Sequence, residues 1–219
     1  MLSLLFALAL AATPLTPRSI VVAGDARLAF RPNQVVATFL ISSSHRDQAA
    51  ARKGNDEKLG KLLRACRDAG VEQRNLMVYE GAVNPEYRGN EVVSFAVNRS
   101  LVMTITDMAR VDDALTAAVR NGGVQASVVL QNTELFAFET KARVAAATSA
   151  RERARGIAEA LGAKLGLPVS VSDQTGPVQG SSTGSFHVPA DGPVITSYGT
   201  RELTVTSQVH VNFDLEPLQ

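Results

Sequence analysis

The chain has no tryptophan, and aromatic residues make up only 5% of it, so the stacking platforms that serve single-stranded nucleic acids and sugars are scarce. Neither sign of charge dominates, because 22 lysines and arginines face 21 aspartates and glutamates and leave a net charge of +1. With no global field, the expected partners do not include nucleic acid. Cysteine occurs once, at Cys66, which excludes an intramolecular disulfide and leaves packing to hold the fold. The apolar run at residues 1–12 is also too short for a permanent span, which needs about 20 apolar residues as a helix.

What is present is a chain of 219 residues with 45% hydrophobic content, enough for one good-sized core. Residues 1–18 read as a signal peptide and short linker, with small residues Ala7, Ala9, Ala11 and Ala12 followed by Pro14 and Pro17. The positive region that usually opens such a signal is missing, since Arg18 is the first basic residue; an amphiphilic tail is the other reading. No cysteine follows the run, so a lipid anchor there is not expected. Residues 19–219 then read as a single domain.

Along that domain, alternation predicts a strand at 20–30 with Ile20, Val22, Ala26, Leu28 and Phe30 on one face. Arg31-Pro32-Asn33 interrupts it, and residues 34–43 resume with Val35, Ala37, Phe39 and Ile41 aligned, so a hairpin or bent strand pair is expected. A charged helix follows at 45–69, with Gly70 placed to cap it. Residues 76–83 read as a strand and Arg88-Gly89-Asn90 as a turn. The longest alternating run is 92–106, whose apolar face only Arg99 breaks. Asp107 is the expected N-cap of a helix to Asn121, and residues 124–131 read as a strand with Val124, Ala126, Val128 and Leu130 facing one way. A helix over 135–165 presents an alanine-rich stripe, Ala142, Ala146, Ala150, Ala154, Ile157 and Leu161, suited to close approach to a sheet. A short strand near 169–172, a Gly/Ser/Thr/Pro-rich mobile loop at 176–193 and a final alternating strand from Leu203 complete the chain. Strands with one apolar and one polar face predict an α+β fold in two layers, an antiparallel or mixed sheet with helices on one face. The open face and edges of such a sheet are available for self-association, so a homo-oligomer is expected.

These features, in this order, resemble the SIMPL-domain family. Ile20-Val21-Val22-Ala23-Gly24-Asp25-Ala26 is similar to its opening I-x-V-x-G-x-G/A strand, and Arg31-Pro32-Asn33 to its x-P-D turn. Gly70-Val71 with Pro85 and Tyr87 resembles the passage after the first helix, and Asp113-Ala114 the segment after the long strand. Ala142-Arg143, Ala150-Arg151, Ala154, Ala158, Leu161 and Gly162 resemble the A-R-rich helix. Ala26 replaces a common second glycine and Asn33 an acidic turn residue. The resemblance implies a bacterial protein of the periplasm or associated with the outer membrane, without established enzymatic activity; some members are immunogenic or linked to oxidative-stress tolerance.

No chemical constellation stands out. His45, His187 and His210 share no ligand or triad spacing, and no G-x-S-x-G elbow accompanies the serines at 181 and 182. Asp56-Glu57 and Asp112-Asp113 are neighbours on helices, so their carboxylates diverge onto solvated faces. Gly180-Ser181-Ser182-Thr183-Gly184 lacks the Lys-Ser/Thr of a phosphate-binding loop. Asn98-Arg99-Ser100 matches a glycosylation acceptor but lies inside an expected strand. Arg143, Arg151, Arg153 and Arg155 make one helix basic, a charged outer face or a dock for an anionic lipid or an envelope protein. The expectation is a non-enzymatic envelope protein with no catalytic, cofactor or metal site, acting by assembly or partner binding. The alternative is an enzyme or redox protein using Cys66 or a histidine; a small-ligand carrier would require a closed apolar pocket.

Overall fold

The computed structural model describes residues 18–183 and 201–217. The signal expected at 1–18 therefore lies almost wholly outside the described residues, as do His187 and most of the expected mobile loop. In chain order the elements are β1 (Ser19–Phe30), β2 (Gln34–His45), α1 (Gln48–Asp68), β3 (Leu76–Tyr79), β4 (Val83–Arg88) and β5 (Glu91–Ile105). They continue with α2 (Val111–Arg120), β6 (Val124–Gln131), α3 (Leu135–Ala160), β7 (Ala163–Thr175), β8 (Ser182–Thr183) and β9 (Leu203–Pro217). The fold is α+β, with antiparallel sheets and helices against one face.

By contacts, the chain divides into two units. The first comprises Met1–Ala26, Arg143–Gln174 and Gln208–Gln219; the second comprises Arg27–Ala142 and Thr175–Ser207. The second unit holds a six-stranded sheet of order β3-β5-β2-β6-β8, with β4 also paired to β5. On its inner face Val35, Ala37, Phe39 and Ile41 of β2 meet Leu101, Met103 and Ile105 of β5 and Val128 and Leu130 of β6. Leu62 and Cys66 of α1 and Val111, Ala114, Leu115 and Ala118 of α2 close that core from one side. Alternation at period two is what lets one face of each strand enter this layer while the other stays outside.

The end of α1 at Gly70 is as expected, while the helix starts differ from expectation: α1 is capped by Asp47, and α2 has Arg110, not Asp107, at its N-cap. Asp47 accepts from the Ala50 amide at 2.8 Å to start α1. Gly70, at φ +91°, ends it, with its amide donating to the Arg67 carbonyl and that of Val71 to Cys66. Asp107 accepts from Ala109 at 3.0 Å and opens a single 3-10 turn ahead of α2.

In the first unit, Ala146, Ala150 and Ala154 of α3 pack on Val22 of β1 and on Val209, Val211 and Phe213 of β9. A β-carbon on Gly24 would lie 2.0 Å from the Ala146 carbonyl oxygen and 2.4 Å from the Ala150 nitrogen. Helix and strand therefore touch backbone to backbone, which explains both the glycine and the alanines.

Four expectations need correction. β1 and β2 form no hairpin, because β1 joins a sheet of order β1-β9-β7 while β2 pairs with β5 and β6. The helix expected to reach 165 stops at Ala160; Gly162 at φ +68° turns the chain, and β7 begins at Ala163, well before the short strand read near 169. Its stripe continues to Ala158, leaving Ile157 and Leu161 exposed. The stripe advances in fours, and each such step drifts about 40° around a helix of 3.6 residues per turn. The strand read at 76–83 is two, β3 and β4, separated where a β-carbon on Gly81 would fall 1.5 Å from the Asn98 carbonyl oxygen. The described start of the expected loop is also structured: Gln179 bridges Thr204, and β8 pairs with β6.

Candidate functional site

The most distinctive surface of the second unit is the outer face of its sheet. Strand register places Tyr79 opposite Ser100, Ser100 opposite Leu40, and Leu40 opposite Val124, forming one row across β3, β5, β2 and β6. In the next row, Met77 is opposite Val102, and Val102 is opposite Thr38. Tyr79 is 52% exposed, Leu40 38%, Val124 62% and Met77 55%. Sequence alternation had set Val124 inward with Val128 and Leu130. A register shift between Thr38 and Phe39 turns it to the outside instead. The outer face is thus not simply polar: Leu40 lies beside Val124 and Met77 beside Val102, while Ser100 stands between Tyr79 and Leu40.

The residues singled out for chemistry take ordinary places. Cys66 is fully buried in the core of the second unit, and burial pushes its thiol up to about 11, so it stays protonated at neutral pH and is a poor nucleophile. His45 Nδ1 accepts from the Asp47 amide at 2.9 Å, and His210 Nε2 lies 3.1 Å from the Gln208 side-chain oxygen. Ser181 Oγ donates to the Val178 carbonyl at 3.2 Å. Among the described residues, no group of three or more His, Cys, Asp or Glu is placed to hold a metal ion.

The basic helix is partly committed. Arg153 donates to the Ala23 carbonyl at 2.8 Å and to Asp25 at 2.9 Å, and Arg143 pairs with Asp173 at 3.2 Å. Asp25 also accepts from Gln208, and the Gln208 and Arg153 hydrogen bonds hold its carboxyl below the usual range. Arg151 and Arg155 remain exposed.

A polar knot in the second unit was missed. Asn55, on the inner side of α1, is completely buried and donates to the carbonyls of Ile41 at 3.1 Å and Val97 at 3.0 Å. Arg99, with a side chain 13% exposed, bonds Asp56 and, at 2.8 Å, Glu80. The Asp56 hydrogen bond does most to raise its pKa further, so it remains a cation. The break Arg99 makes in an apolar run was the visible signal; its partners, on α1 and in the β3–β4 connection, were not.

The chain combines an α+β architecture, an alanine stripe seated on a glycine-bearing strand and a sheet with an exposed outer face. The chain belongs to the SIMPL family, described as "Protein of unknown function (DUF541)", whose model matches residues 20–213. It is 26% identical over 176 residues to the 26 kDa periplasmic immunogenic protein of Brucella melitensis, covering 74% of this chain and 68% of that protein. The same-named Brucella abortus protein is 25% identical over 174 residues, with the same coverage. The uncharacterized protein YggE of Edwardsiella ictaluri is 23% identical over 158 residues, covering 69% of this chain and 66% of that one. No helix among the described residues is long and apolar enough to cross a membrane.

Proposed function

We propose that this protein is exported to the cell envelope, periplasmic or associated with the outer membrane, and acts without catalysis by assembling with further copies of itself. The observation that carries this reading is the pair of cross-strand apolar neighbours, Leu40 with Val124 and Met77 with Val102, with Tyr79 two residues from Met77 on the same strand face, on the open face of the six-stranded sheet. Apolar groups adjacent on a flat face gain more by mutual burial than the same groups scattered over a surface. The periplasmic names of the Brucella proteins support export. The buried, protonated state of Cys66 speaks against thiol chemistry. A contribution to envelope or oxidative-stress tolerance belongs to the same reading.

Native mass measurement tests it directly. Purified protein is expected to be larger than a monomer, and Leu40→Glu with Tyr79→Lys is expected to return it to a folded monomer. A wild-type chain that stays monomeric across the whole concentration range overturns assembly, and recovery in the cytoplasmic fraction overturns export.

A further inference from the structure

We infer that the cavity between the end of β2 and the β4–β5 hairpin binds a phosphate-bearing anion. It has a volume of about 790 Å3 and is lined by His45 and Arg46 on one side and by Arg88, Val92 and Ser94 on the other. Pairing of β2 with β5 ends at His45 opposite Phe95, while β4 stays paired with β5 down to Arg88 opposite Glu91. The hairpin therefore extends past the end of β2 as a two-stranded ribbon, and the cavity lies at its root. Glu86 holds that root in place by accepting hydrogen bonds from Ser44, at 2.8 Å, and from Ser94.

The acids nearby are the groups that would oppose an anion, and two of them are occupied. Glu86 is taken by the two hydroxyls, which hold its carboxyl below the usual range, and Asp47 caps α1. Glu91 lies across the turn from Arg88. The cations, by contrast, are uncommitted: Arg46 and Arg88 are exposed and make no ion pair among the described residues. Because the Asp47 amide donates to His45 Nδ1, the neutral imidazole carries its proton on Nε2, as a further donor. Two guanidinium forks and a ring N–H offer more donors than the two oxygens of a carboxylate engage well, and they match the charge and the oxygens of a phosphate. The volume exceeds that of a phosphate alone, and Val92, 47% exposed, offers an apolar wall to the group it is attached to.

The test titrates the purified chain by calorimetry with inorganic phosphate, and by sedimentation with phosphatidylcholine vesicles with and without phosphatidic acid. Binding is expected to weaken about tenfold or more in Arg46→Gln/Arg88→Gln, and less in Arg46→Lys/Arg88→Lys, which keeps the charge and loses the forks. Arg151→Gln/Arg155→Gln, with the same change of net charge on α3, is expected to leave it unaltered. A response to phosphatidic acid vesicles alone assigns the phosphate to a lipid headgroup, and a response to inorganic phosphate assigns it to a soluble ligand. Failure of both probes, or equal losses in the two Arg→Gln pairs, overturns the site. Thermal unfolding of each variant shows that the fold persists; should the glutamine pair unfold, the lysine pair and the His45 Nε2 resonance on titration decide.

Discussion

Asn55 shows how much one polar side chain can hold. Its amide donates to two carbonyls from adjacent strands while its oxygen faces the part-buried Arg99 guanidinium at 3.4 Å, and Asn55 itself is closed to water. Replacing it with leucine keeps the branching but takes the donor from both carbonyls and adds bulk to a closed site, so Asn55→Leu is expected to cost about 2–4 kcal/mol in urea unfolding. Cys66 makes a pH statement. Its thiol is held protonated up to about 11 in the folded chain against an ordinary 9.0. That stabilisation is complete below pH 9 and is lost as the pH rises towards 11, amounting to about 2–3 kcal/mol. Cys66→Ala is expected to remove this difference between alkaline unfolding curves while costing about 1–2 kcal/mol at neutral pH through the space it empties. Parallel curves for the two proteins would show that burial does not set the thiol's state. Ser207 stands between Val205 and Val209 on the buried face of β9, its hydroxyl without a partner among the described residues. Nothing local in the strand announces this burial, because serine suits a polar face.

At the scale of elements, the contact between α3 and β1 is the clearest constraint. Gly24→Val would push carbon into the Ala146 carbonyl and the Ala150 nitrogen, neither of which can swing aside. The expected loss is above about 3 kcal/mol, with hydrogen exchange accelerating in β1 and in α3 from Arg143 onward. Unchanged exchange there would mean that the helix can lift off the strand at little cost. The same elements show what was legible. The i+4 alanines were readable as a close helix–sheet contact, because small side chains at that spacing have few other uses, whereas the role of Gly24 opposite them was not. β7 was not readable over its length: Leu167, Val169 and Val171 are exposed, its other residues are also largely outside, and a strand wet on both faces carries no alternation. The break at Gly81 was equally hidden, since the atom that demands it belongs to Asn98 on another strand.

For the whole molecule, the balanced charge and the apolar neighbours on the outer sheet face point to association that ignores salt. Oligomers formed through Leu40, Tyr79 and Val124 are expected to persist at about 0.5 M sodium chloride, where exposed charge pairs are screened, and to loosen on cooling. Dissociation by salt, read by native mass or light scattering, would transfer the interface to charged surfaces such as the exposed Arg151 and Arg155 on α3.

The order of strands and helices, the inward side of most of them and the family were determined by the sequence alone, because periodicity and caps are local and each element carries its own record of which side meets the core. Tertiary structure alone decided the pairing of β1 with β9 rather than β2, the outward turn of Val124, the partners of Asn55 and Arg99, and the neighbours of Arg46. Each of these depends on register or on backbone atoms distant along the chain. A one-residue shift in pairing reverses which face a side chain occupies without altering any local pattern that would announce it.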